Sequence, residues 1–154
     1  MKARNFLFCV AMICACCAAG FAQEQRETAA EQRRKYEEAL KPHLEEAKKT
    51  YPDAKKRFLA GLAPKERFLV TIELREENGR KQQAYIEVAE IKDGTIKGVI
   101  ASNIRNLTKY RRGDKYSVPE SEMIDWIIAK PDGTEEGNFV GKFLNEYHPG
   151  VRSY

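Results

Sequence analysis

The sequence predicts an α+β fold, with N-terminal helices packed on an antiparallel, meander-containing β-sheet. Two observations carry this. From Glu24 to about Leu62 the chain is rich in helix-favouring Glu, Lys, Arg, Gln and Ala, with apolar residues at helical spacing. From Arg67 the period switches to two, and Asn78-Gly79 and Asp93-Gly94 mark two hairpin turns.

The first helical stretch, Glu24 to Lys49, has only the thin apolar set Ala29, Tyr36, Leu40 and Leu44 and reads as largely solvated. Proline lacks the N–H that a helix interior needs, so Pro42 is expected to break or restart this helix. A second helix is expected to begin at Thr50, where Asp53 three residues on resembles a capping box and Pro52 sits in the first turn. Tyr51, Ala54, Phe58 and Leu62 form its apolar stripe, and Gly61 and Pro64 close it.

Phe68, Val70, Ile72 and Leu74 then share one face of a strand. A three-residue loop of Glu77, Asn78 and Gly79, with Gly79 left-handed, pairs Phe68 with Val88, Val70 with Ile86 and Glu76 with Arg80. A two-residue Asp93-Gly94 loop pairs Ile91 with Ile96, Glu90 with Lys97 and Val88 with Val99. Residues 67–101 are therefore a three-stranded meander. A polar connection from Ser102 to Arg112 follows, then Gly113-Asp114 and a short strand through Val118. Pro119 to Glu122 turn the chain into a strand from Met123 to Ala129, and Pro131-Asp132-Gly133 is another turn. Asn138 to Tyr147 fits either a strand or a helix.

Residues 1–22 have the three parts of a secretory signal: basic Lys2 and Arg4, an apolar run from Phe6 to Gly20, and small Gly20 and Ala22 before a cut at Gln23. The expected organisation is this signal, a charged helical segment over 23–46, a single α+β domain over 47–147 and a tail over 148–154. The expected location is the periplasm or the exterior. Lipoprotein tethering at Cys16 is the alternative, which Ile13-Cys14-Ala15 fits poorly. Cys9, Cys14, Cys16 and Cys17 all fall inside the signal, so the mature chain would have no thiol for a disulfide or a soft-metal site. Its charge would be close to balanced: the 27 basic and 23 acidic residues become 25 and 23 without Lys2 and Arg4. That balance does not favour a nucleic-acid partner. No second apolar run of membrane length follows the signal.

Few residues carry chemistry. His43 and His148 are the only histidines and neither has ligand-like neighbours, so no metal or cofactor is expected. There is no Gly-rich phosphate loop, serine elbow or cysteine nucleophile. Asp125-Trp126 stands out because the only tryptophan sits beside a carboxylate in an apolar strand. Alternation places the two on opposite faces, with Trp126 anchoring the core and Asp125 accepting from nearby backbone or pairing with a base. Arg105, Lys109, Arg111, Arg112 and Lys115, interleaved with Tyr110 and Tyr116, read as a solvated loop, with an anionic partner as the alternative.

Several short signatures in order resemble the YegJ-like (DUF2314) family of bacterial domains of unknown function. They are a helix carrying Phe58, the strand Arg67 to Leu74, Ala84-Tyr85-Ile86-Glu87-Val88, Gly98 and Asn103, Arg112-Gly113-Asp114, Ile124-Asp125-Trp126, and Glu136-Gly137-Asn138-Phe139. The resemblance covers about Ala47 to Leu144 and implies a shared α+β fold and bacterial origin, without an activity. This chain departs from it at Gln82-Gln83-Ala84-Tyr85, where relatives often have a tryptophan preceded by an acid, a histidine and an apolar residue.

These readings favour an exported, non-enzymatic domain binding a protein or envelope partner. Asn103, Asp125, Trp126 and Asn138 are the candidate binding residues, and no catalytic residue is identified. A small-ligand binder or enzyme using a cleft near Asp125 and Asn103, with Tyr85, is one alternative. An inhibitor or immunity-like protein making contact through its first helix or through Arg111 and Arg112 is another.

Overall fold

The computed structural model describes the backbone of residues 6–147 and the side chains of residues 29–147. The side chains of the candidate signal, His148 and the tail lie outside these. Two compact units divide the chain, one of residues 1–39 with 149–154 and one of residues 40–148. In the first, residues 31–38 carry ladders of exposed ion pairs such as Arg33–Glu37 and Arg34–Glu38, one helical turn apart.

A single helix, α1 (Phe6–Ala60), replaces the two expected helices, with Pro42 and Pro52 inside it. Thr50 is therefore not an N-cap. Its hydroxyl donates back to the Glu46 carbonyl at 2.7 Å within the helix. The local cost of Pro52 is outweighed by the stripe on either side of it, buried Ala47, Tyr51 and Ala54 with half-buried Phe58, that packs only if the helix is unbroken there. α1 ends where expected, with Gly61 left-handed at φ 99° and its N–H bonded to the Phe58 carbonyl.

Six antiparallel strands follow: β1 (Arg67–Arg75), β2 (Lys81–Lys92), β3 (Thr95–Ile100), β4 (Lys115–Pro119), β5 (Asp125–Ala129) and β6 (Glu135–Gly137). Helix α2 (Phe139–Glu146) resolves the open choice for the last element, and β6 is a strand that periodicity missed. The spatial order is β4-β3-β2-β1-β5-β6.

The first hairpin has the expected register, with Val70 opposite Ile86, Gly79 at φ 82° and the Glu76 N–H on the Arg80 carbonyl. The second begins as expected, with Ile91 opposite Ile96 and Glu90 opposite Lys97, around Asp93 and Gly94 at positive φ. It then departs. A bulge between Val88 and Glu90 shifts the register, so Val88 faces Gly98 and Val99 faces Glu87. A Cβ at Gly98 would lie 2.1 Å from the Glu87 carbonyl oxygen. Gly98→Ala should therefore lower stability by about 1–3 kcal/mol in urea denaturation, because the β2–β3 backbones must separate to admit the methyl.

The sheet curls around α1. Six peptide steps link Pro119 to Asp125, and with a 3₁₀ turn at Glu120–Glu122 they reach roughly 16 Å. Four strand spacings of a flat sheet would be about 19 Å. The crossing is fastened to α1, since Glu120 accepts from the Tyr51 hydroxyl and the Lys55 ammonium at 2.8 Å each. Burial pushes the Tyr51 hydroxyl pKa well up, and the Glu120 carboxylate adds to that. Phe68, Val70, Ile72, Ile86, Ile96, Trp126 and Ile128 fill the concave side against α1.

Candidate functional site

Alternation along β5 sends Asp125 and Trp126 to opposite faces. Trp126 turns toward α1, where its Nε1–H donates to the Thr50 hydroxyl at 3.0 Å and Phe139 meets its ring edge-on at 6.0 Å. Beside it is a cleft of about 400 Å³ lined by Thr50, Asp53, Ala54, Arg57, Trp126, Glu136, Gly137 and Phe139. Gly137, at φ 75°, brings β6 hard against Trp126: a Cβ there would lie 2.2 Å from the Trp126 carbonyl oxygen. The rim is charged. Glu136 bridges Arg57 and Lys130, and these two hold its carboxyl below the usual range, Lys130 most strongly. Asp53 is exposed at the cleft.

Asp125 is fully buried on the other face. Its Oδ1 accepts the Trp126 N–H at 2.8 Å and its Oδ2 accepts the Val140 N–H at 2.7 Å. It thus caps α2 from a neighbouring strand, which explains why the helix starts at Phe139 without a cap from Asn138. Burial raises its pKa, partly offset by the Val140, Trp126 and Gly141 amides and the Lys142 charge. Asn138, 8% exposed, is left-handed at φ 57°, donates its amide to Glu135 at 2.6 Å and leaves Oδ1 without a hydrogen bond. Asp125 and Asn138 therefore meet at the start of α2, with Trp126 behind them.

Asn103 is elsewhere. Its carbonyl accepts the Gln82 amide at 3.1 Å on the loop after β3. Ala101, just past the end of β3, lies abreast of Tyr85, Thr71 and Asp125 on β2, β1 and β5, so about three strand spacings, roughly 14 Å, separate this loop from Asp125. Tyr85 is nearer: it sits on the face of Asp125, 37% exposed, with its hydroxyl pKa raised by burial and then by the Glu135 and Asp125 charges.

Sequence reasoning treated Glu76 only as the partner of Arg80. Its carboxylate also accepts the Thr108 and Lys109 N–H groups and the Thr108 hydroxyl, gathering loop 101–114 onto β1. These bonds, Lys109's first, carry its pKa down to about 2 against an opposing push from burial. One sign was available: Glu76 continues the inward period of Ile72 and Leu74 and must need partners there. Among the described residues no group of three or more His, Cys, Asp and Glu side chains could hold a metal, and no helix is long and apolar enough to cross a membrane.

No curated protein and no solved structure matches the chain significantly. A family model described as an uncharacterized protein conserved in bacteria matches residues 37–147, from the middle of α1 to the end of α2. The chain, on that match and on the α+β architecture just described, belongs to the DUF2314 family.

Proposed function

We propose that the protein is an exported, non-enzymatic recognition domain that binds a protein or envelope component through the cleft beside Trp126. The observation that carries this is the cleft's construction: an apolar floor of Trp126, Phe139 and Ala54 inside a rim of Asp53, Arg57 and Glu136. Trp126 contributes contact, while Asp125 and Asn138 act behind it by fixing the start of α2 and so the position of Phe139. The buried carboxylates Asp125 and Glu76 bond backbone amides, which supports binding over acid–base chemistry. A small ligand is the second reading, favoured by the size of the same cleft.

Two measurements test it. N-terminal sequencing of the chain recovered from outside the cytoplasm should begin at Gln23; full-length chain confined to the cytoplasm would remove export. Immobilised mature protein should retain an envelope component that Asp53→Arg loses by about tenfold, since the new cation enters the cleft without disturbing a buried group. Equal retention by the wild type, the variant and an unrelated exported control would refute the cleft.

A further inference from the structure

One end of the sheet carries an excess of basic side chains. Residues 73–81 and 101–115, which meet at one end, carry eight basic and four acidic side chains. Loop 101–114 holds its shape there. Glu76 takes the Thr108 and Lys109 amides, the Gln82 side-chain carbonyl takes those of Arg105 and Asn106, and Leu107 is buried. Tyr110 and Tyr116 meet edge-on and pack against the core, so the aromatics of this segment are used internally. Among the described residues Arg105, Arg111, Arg112 and Lys115 are exposed and form no ion pair.

Beside this loop runs β4, the outer strand of the sheet. Its hydrogen-bond phase follows from its two ends, where the Ile100 N–H bonds the Asp114 carbonyl and the Glu120 N–H bonds the Gly94 carbonyl. Bonded pairs recur every second residue, so Tyr116 and Val118 bond β3, while the N–H and C=O groups of Lys115 and Ser117 point outward. Pro119, in the same outward phase, has no N–H to offer and ends the free edge.

We propose that the outer edge of β4 accepts an extended, acidic segment of a partner protein by strand addition, with Lys115, Arg111 and Arg112 pairing its carboxylates. A lysine and a proline on an edge strand ordinarily guard against aggregation. Here the same charges repel the β4 edge of a second copy and complement an acidic strand, so the guard also selects. The β6 edge of another copy is not such a strand, because its glutamates are already bonded to Asn138, Arg57 and Lys130. Outward main-chain groups at Lys115 and Ser117, beside the cations, favour a polypeptide over a lipid surface. This surface is separate from the cleft beside Trp126 and does not depend on it.

The test uses the mature chain and a blocked six-residue peptide alternating glutamate with valine. The peptide should slow amide exchange at Lys115 and Ser117 by about tenfold at low salt and lose affinity as salt rises. A lysine-for-glutamate peptide and a glutamate peptide interrupted by a central proline should both fail. Ser117→Pro, which deletes an N–H that the fold does not use, should abolish the effect, and Arg111→Glu with Arg112→Glu should weaken it. The interrupted peptide probes the same bonds without touching the fold. Equal binding of the intact and interrupted peptides, binding of neither, or preference for phosphatidylglycerol vesicles undiminished by Ser117→Pro would each overturn the proposal.

Discussion

Asp125→Ala should lower stability by about 3–4 kcal/mol, because it strands the buried Trp126 and Val140 amides that the carboxylate accepts. Loss of one neutral hydrogen bond would cost only about 1 kcal/mol. The larger figure reflects donors that remain buried without water, beneath a Val140 that is itself buried. Asp125→Asn keeps one carbonyl acceptor and should cost about half as much. Urea denaturation reads both, and amide exchange along α2 should accelerate in the alanine variant before the sheet opens. A loss below about 1 kcal/mol for the alanine variant would mean that α2 is held by its apolar face alone.

The pH dependence has a defined sign. Burial raises the folded pKa of Asp125 above the ordinary value of about 3.9, so the folded state holds this proton more tightly than the unfolded chain. Its contribution to stability is therefore fullest below that ordinary value and declines as pH rises through the folded pKa. The gap between wild type and Asp125→Asn should narrow over that interval.

Glu76→Gln should free loop 101–114 and remove part of the acid sensitivity of the fold. The carboxylate gathers two backbone amides and a hydroxyl from one short stretch, and an amide in its place retains one acceptor and loses the charge. Exchange at Thr108 and Lys109 should rise by on the order of tenfold or more. The folded pKa, held down to about 2, lies below the ordinary glutamate value of about 4.3. The contribution of Glu76 is therefore complete above pH ~4.3 and is lost as pH falls toward about 2. In the glutamine variant this part of the acid limb should flatten; an unchanged limb together with unchanged exchange would show that Leu107 and Gln82 hold the loop without it.

The meander was legible because its information is local. Asn78-Gly79 and Asp93-Gly94 have the turn chemistry that sets register, and the apolar pairs agree with it. The bulge before Glu90 was not, since Val88 opposite Val99 looks as good on paper as Val88 opposite Gly98. The difference lies in how closely two backbones approach. Pro42 misled because the helix runs through it although the buried stripe starts only beyond it, at Ala47, and spans Pro52 instead. β6 has no apolar alternation to read, and its pairing with β5 is fixed by Gly137 against Trp126. At the candidate site, the backbone-acceptor role of Asp125 followed from its burial, but its partner Val140 depends on where α2 lands. The separation of Asn103 from Asp125 depends on strand order, which no single segment encodes.

That order also sets a schedule for synthesis. β1 is made well before β5, yet one of its flanks belongs to β5, whose pairing partners begin 54 residues after Thr71 at Asp125. Whether the chain emerges from the ribosome or from an export channel, that flank stays unmatched until β5 follows, and at roughly 5–20 residues per second the wait is about 3–11 s. During this interval the nascent meander has one open seam made of Leu69, Thr71 and their neighbours, and any other chain in an extended state can occupy it. The hazard in producing this protein is therefore concentrated in chains whose β5 has not yet emerged, and chains stalled or truncated ahead of Asp125 are the ones that should aggregate.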